Sequence, residues 1–152
     1  MPILRLNAGP DGLTLHRSPA AVWPAIGNAA VGQGPVIVMI HGFKYDPDSV
    51  RHSPHSTIFG LDTARANVAP WLRPLGFGTG NRDEGLAIAF AWRARGNLWR
   101  AAQAARKAGK HLADVIAWMR ARAPGRPVHI ISQSMGSEVV FEALSRLPPC
   151  SV

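Results

Sequence analysis

The 152-residue sequence predicts an α/β protein, one domain built on an open, mostly parallel sheet with helices flanking it. Three observations lead there. Residues 35–40 (PVIVMI), 86–91 (LAIAFA) and 128–131 (VHII) are continuously apolar rather than alternating, the pattern of strands covered on both faces of a parallel sheet. Two other stretches, 97–122 and the one that follows Ser134, place apolar residues at spacings of three and four, which is helical. The order is strand, long connection, strand, helix, strand, helix, which right-handed crossovers generate.

Residues 1–34 form an N-terminal hairpin region. Weaker strands at 3–6 and 13–16 are separated by Ala8-Gly9-Pro10-Asp11-Gly12, whose composition is that of a turn. Residues 17–34, rich in Pro, Gly and Ala, suit a short helix and a loop. The core spans 35–147. Its long connection, 44–84, contains Tyr45, Phe59, Trp71, Leu72, Leu75 and Phe77, and two readings stand: a lid or acyl pocket at the ligand rim, or a crossover helix around 63–72 with its aromatics in the core. In 97–122 the apolar stripe is Ala101, Ala105, Ala108, Leu112, Val115, Ile116 and Met119. Asn97 is its expected N-cap and Ala123-Pro124-Gly125-Arg126-Pro127 its stop. After Ser134, the residues Val139, Val140, Ala143, Leu144 and Leu147 define a last helix, ended by Pro148-Pro149.

Charge is unbalanced, with 17 Lys and Arg against 9 Asp and Glu. Most of the excess lies between 93 and 126, where Arg100, Arg106, Lys107, Lys110, Arg120 and Arg122 occupy mainly the positions that the apolar stripe leaves polar. A solvated helix face accounts for them. No zinc-ligand spacing, RNP-type aromatic run or P-loop accompanies the charge, so no specific nucleic-acid partner is expected. The single cysteine, Cys150, excludes an intrachain disulfide. With neither signal-peptide features at the start nor a run of about 20 apolar residues, no membrane span is expected, and the location read from these features is cytoplasmic.

The chemistry concentrates at Val128-His129-Ile130-Ile131-Ser132-Gln133-Ser134-Met135-Gly136, an apolar strand that runs through a serine between small residues into a helix. One reading is a nucleophilic serine on a sharp strand-to-helix turn, its hydroxyl lifted clear of the sheet beside the helix N-terminus. The other is an ordinary loop in which Ser134 is an N-cap. The first strong strand ends in Ile40-His41-Gly42-Phe43. In a parallel sheet both segments lie on the rim where ligands bind.

In this order and context the two motifs resemble the α/β-hydrolase fold, specifically bacterial hydrolases with a His-Gly-Phe loop after one strand and a Ser-Met-Gly turn after a later one. The resemblance covers about residues 35–147. It implies a cofactor-free serine hydrolase acting on a small-molecule ester or thioester through an acyl-enzyme on Ser134. The N–H groups of Phe43 and Met135 would form the oxyanion hole. Gly42 would let the backbone turn, His41 would be scaffold, and Gly136, like Ser132, would be small to let strand and helix approach. Gln133 is given no direct role.

The sequence departs from the family in two ways. Ser132 replaces the usual glycine, and the triad acid and histidine, which follow the nucleophile in this fold, have no counterpart: after Ser134 come only Glu138, Glu142 and no histidine. His52 and His55, near Asp46 and Asp48, read as solvent-facing loop residues rather than as a metal site. The expectation is therefore the N-terminal portion of a hydrolase domain, truncated before its C-terminal strands and inactive or feeble as it stands. The strand at 128–131 would then be an exposed edge that invites self-association. The alternative is a non-catalytic α/β binding domain that keeps the turn as a relic.

Overall fold

A computed structural model describes residues 3–63, 67–81 and 83–148. Strands β1 (Ile3–Gly9) and β2 (Gly12–Leu15) pair antiparallel, with Gly9 opposite Gly12 and Pro10-Asp11 as the two-residue turn. Helix α1 (Val22–Ala30) buries Val22, Ile26 and Ala30 and leads to β3 (Val36–Ile40). The long connection then precedes β4 (Leu86–Trp92), α2 (Leu98–Arg122), β5 (Val128–Ser132) and α3 (Gly136–Leu144). The sheet order is β2-β1-β4-β3-β5, with every pairing parallel except the hairpin. This is the open α/β architecture that the continuous apolar runs predict.

Alternation along β4 divides the core. Leu86, Ile88, Phe90 and Trp92 join a cluster with Leu112, Val115, Ile116 and Val139 of α2 and α3. Ala87, Ala89 and Ala91 face the other way, and their small side chains form a floor for Ile58, Phe59, Leu72 and Phe77 of the 44–84 connection. That connection is therefore core on the second face of the sheet. The crossover helix of the second reading, around 63–72, is not formed at Thr63 or at 67–72, residues 64–66 lying outside the described residues; among the described residues of the connection the one helical turn is the 3-10 turn Pro54–Ser56. The irregular path follows from its Pro and Gly content, which denies it a helical period.

Helix α2 begins where expected. The Asn97 side chain accepts from the Arg100 amide at 2.8 Å, satisfying one of the first-turn donors. All six basic residues named above are exposed on it. Arg126 in the following turn ties β5 to the segment before β3, donating to the carbonyls of Ala30 (2.9 Å), Gln33 (3.1 Å) and Gly34 (2.7 Å). No helix among the described residues is long and apolar enough to cross a membrane. Cys150 lies outside the described residues.

Candidate functional site

Parallel pairing of β3 with β5 sets Ile40 opposite Ser132, so the chain leaves both strands on one rim. The two loops touch. A Cβ on Gly42 would lie 2.8 Å from the Gln133 carbonyl oxygen and 3.1 Å from Ser134 Cβ, and one on Gly136 would lie 2.7 Å from the His41 oxygen and 2.9 Å from that of Ile40. Glycine at both positions is a packing requirement. Between them, the Gln133 amide donates to the Ile40 carbonyl at 3.1 Å, and the hydroxyls of Ser132 and Ser137 lie 3.3 Å apart.

Ser134 stands at φ +49°, a left-handed conformation that costs an L-residue with a Cβ about 1–2 kcal/mol. Such strain persists only where surrounding contacts impose it. Here β5 delivers the chain, Gly136 seats α3 against the β3 loop, and the bend between them leaves Ser134 exposed. Its side chain caps nothing: the N-cap of α3 is Met135, with no side-chain cap bond. The ordinary N-cap reading of Ser134 is thereby corrected.

The amides of Gly136, Ser137 and Glu138 are taken up by the carbonyls of Gln133 (2.8 Å), Ser134 (2.9 Å) and Met135 (3.2 Å). Among the described residues the amides of Met135 and Phe43 donate to no protein acceptor.

His41 explains how the second of these is oriented. Its ring is wholly buried and lies parallel to Trp92, 3° between planes and 5.6 Å between centroids. The Trp92 amide donates to Nε2 at 3.0 Å, so the proton of the neutral ring is on Nδ1, which donates to the Gly42 carbonyl at 2.9 Å. In a planar trans peptide, C=O and N–H point in opposite directions. Holding the Gly42 carbonyl toward the ring therefore turns the Phe43 N–H away from it. Burial lowers the His41 pKa to about 4, which keeps the ring neutral. Both ring nitrogens are occupied, so His41 has no nitrogen left for the Ser134 hydroxyl. The partner that sequence reasoning missed is Trp92, which also donates its indole N–H to the His41 carbonyl at 3.1 Å. Its signal was a tryptophan closing a buried strand.

His55 corrects another expectation. It is buried rather than solvent-facing: Nε2–H donates to Asn7 Oδ1 at 2.7 Å, the ring lies 4.1 Å from that of His16, and Nδ1 has no partner. Burial, with the nearby His16 and Arg5, lowers its pKa to about 2. His52 is half-buried. Among the described residues no three His, Cys, Asp or Glu side chains converge as a metal site.

A five-stranded, mostly parallel open sheet with helices on it, and a strand-to-helix turn beside a glycine loop on the ligand rim, define a domain of the α/β-hydrolase type. Residues 28–149 match the family described as alpha/beta hydrolase of unknown function (DUF900), and the chain belongs to that family. No curated protein and no solved structure matches the chain.

Proposed function

We propose that the site is that of a serine acyl hydrolase, with Ser134 as nucleophile and the N–H groups of Phe43 and Met135 as the oxyanion donors. The observation that supports it most is the left-handed, exposed Ser134 packed against Gly42, with both of those amides unpaired. In the reaction, Ser134 Oγ bonds to an ester or thioester carbonyl carbon and its proton passes to a base. The two amides hold the resulting oxyanion, each typically worth about 2.7–4 kcal/mol of barrier. The C–O or C–S bond then breaks, an alcohol or thiol leaves with a proton, and water releases the acid. No cofactor is needed. His41 is a positioning residue in this scheme: it aims the Gly42–Phe43 peptide and touches no substrate.

Within these 152 residues no histidine follows Ser134, and His41 is committed elsewhere. The chain by itself is therefore a feeble catalyst, since loss of a triad base removes several orders of magnitude in rate. The test has two parts. A fluorophosphonate probe should label the wild-type chain at Ser134 slowly and Ser134→Ala not at all, while Gly42→Ala, whose Cβ pushes the loops apart, labels at least about tenfold more slowly. Hydrolysis of p-nitrophenyl butyrate should stay within a few-fold of Ser134→Ala. Equal labelling of wild type and Gly42→Ala would refute the oxyanion arrangement, and fast hydrolysis would refute the missing base.

One observation favours a second reading, a non-catalytic interaction domain. β5 is an edge of the sheet with Ile130 and Ile131 partly exposed, and on the adjacent α3 Phe141 is 67% and Leu144 50% exposed. Sedimentation showing a concentration-dependent dimer, together with no probe labelling, would favour it.

A further inference from the structure

A concave site opens on the same rim, three strands from Ser134. It lies between the β1–β2 turn and the N-terminal half of α2, has a volume of about 200 Å³, and is lined by Arg100, Gln103 and Lys107 over a floor that includes Ala8, Ala104 and Ala108. Strand spacing of about 4.8 Å puts the end of β1 roughly 14 Å from the end of β5, so this is a separate place.

Its chemistry is one-sided. Among the described residues Arg93 is the only other charged one in the lining, and it is already held by Asp48 at 2.8 Å and Asp46 at 3.7 Å. No carboxylate of the described residues lines the cavity. Among the described residues the side chains of Arg100 and Lys107 make no ion pair. Seven residues apart, these two stand within about 20° of each other around the helix axis and about 10 Å apart along it. Gln103 falls on the same flank, and the alanines between them leave the hollow. Two uncompensated cations and an amide converging on one hollow balance a dianion.

The placement also separates this pair from the rest of the basic helix. Arg106 and Lys110 are exposed but are not among the residues that line the cavity. A polyanion needs a track of phosphates spaced along a surface; one hollow with two free cations fits a single group.

From this arrangement we infer that the hollow lined by Arg100, Gln103 and Lys107 binds the phosphoryl group of a small soluble molecule. The site stands independently of the Ser134 chemistry.

Titration of the whole chain with pyrophosphate at constant ionic strength, read by calorimetry and by Tm, tests it. Saturable one-to-one binding is expected. The double variant Arg100→Gln/Lys107→Gln should weaken it at least about tenfold, the loss expected when charge-assisted donors are removed. Arg106→Gln/Lys110→Gln, which removes the same charge outside the hollow, should change it less than about twofold. Ala104→Leu, which fills the floor without altering charge, should also abolish binding. Equal weakening by the two double variants, non-saturable binding, or retention of binding in Ala104→Leu would overturn the site. Displacement of pyrophosphate by duplex DNA at equivalent phosphate would overturn the ligand class.

Discussion

The buried imidazole of His41 makes stability in acid a direct readout of the loop geometry. In the unfolded chain the ring titrates near 6.5; in the folded chain burial lowers its pKa to about 4. The folded state thus holds the neutral ring and the unfolded state takes up the proton first. The contribution is whole above pH 6.5 and is lost as pH falls from 6.5 through 4, in total about 2.5 units, or about 3.4 kcal/mol. His55, lowered to about 2, acts in the same direction and continues further into acid. Between pH 6 and 4.5 both rings contribute, and together they should lower the unfolding free energy by at most about 2.7 kcal/mol per pH unit. For a domain whose whole stability is about 5–15 kcal/mol, unfolding then begins in mild acid. His41→Phe keeps a ring against Trp92 and removes the proton site. At neutral pH it should cost about 1–3 kcal/mol, because the buried Trp92 amide loses its acceptor. Below pH 6 its slope should be shallower by up to about 1.4 kcal/mol per unit, the share of His41. Urea midpoints at half-unit steps from pH 7.5 to 4.5 for both proteins measure this. Parallel slopes would refute the assignment of the Trp92 bond and of the neutral ring to His41.

Other expectations follow from single contacts. Gly136→Ala drives a Cβ into the carbonyl oxygens of Ile40 and His41, both backbone, and should cost about 1–3 kcal/mol in urea unfolding. Ser134→Gly relieves the left-handed strain at the price of chain entropy, and calorimetry should show Tm raised by about 1–3 °C while probe labelling vanishes. Arg126→Met strips the carbonyls of Ala30, Gln33 and Gly34 of their charged donor and should lower stability by about 1.5–3 kcal/mol. Asn97→Ala should lose about 1 kcal/mol and fray the first turn of α2, seen as faster amide exchange at Arg100.

The strands β3 and β4 were legible because a strand covered on both faces has no polar position to break its run; β5, an edge with His129 exposed, was legible only from Val128, Ile130 and Ile131. The α2 boundary was legible because Asn97 and the Pro-Gly turn act locally. Gly136 could be read as a small-residue demand and Gly42 as a turn, although only the structure shows that a Cβ at either would strike backbone atoms. What escaped was whatever depended on distant partners. The 44–84 connection covers a sheet face through Phe59, Leu72 and Phe77, yet without periodicity nothing local marks those side chains as buried. His55 looked like a loop histidine because Asn7, its partner, lies 48 residues earlier. The Trp92 bond to His41 likewise spans 51 residues. The site itself, with its φ and its free amides, was legible as a pattern and not as geometry.

The alanine floor on β4 gives the two sheet faces unequal permanence. The helical face is sealed by regular elements with continuous hydrogen-bond ladders, whereas the opposite covering is irregular and held by scattered turn and loop bonds and by inserted side chains. It can therefore peel back as a subglobal opening while the five-strand ladder survives. Phe59 and Tyr45, which belong to that covering, rest against the His41 ring at 5.9 and 5.3 Å between centroids. Peeling wets the imidazole and frees the Gly42–Phe43 peptide to rotate. The rim can thus lose its shape while the sheet remains intact, and a protease nick between β3 and β4 becomes a means of separating the two.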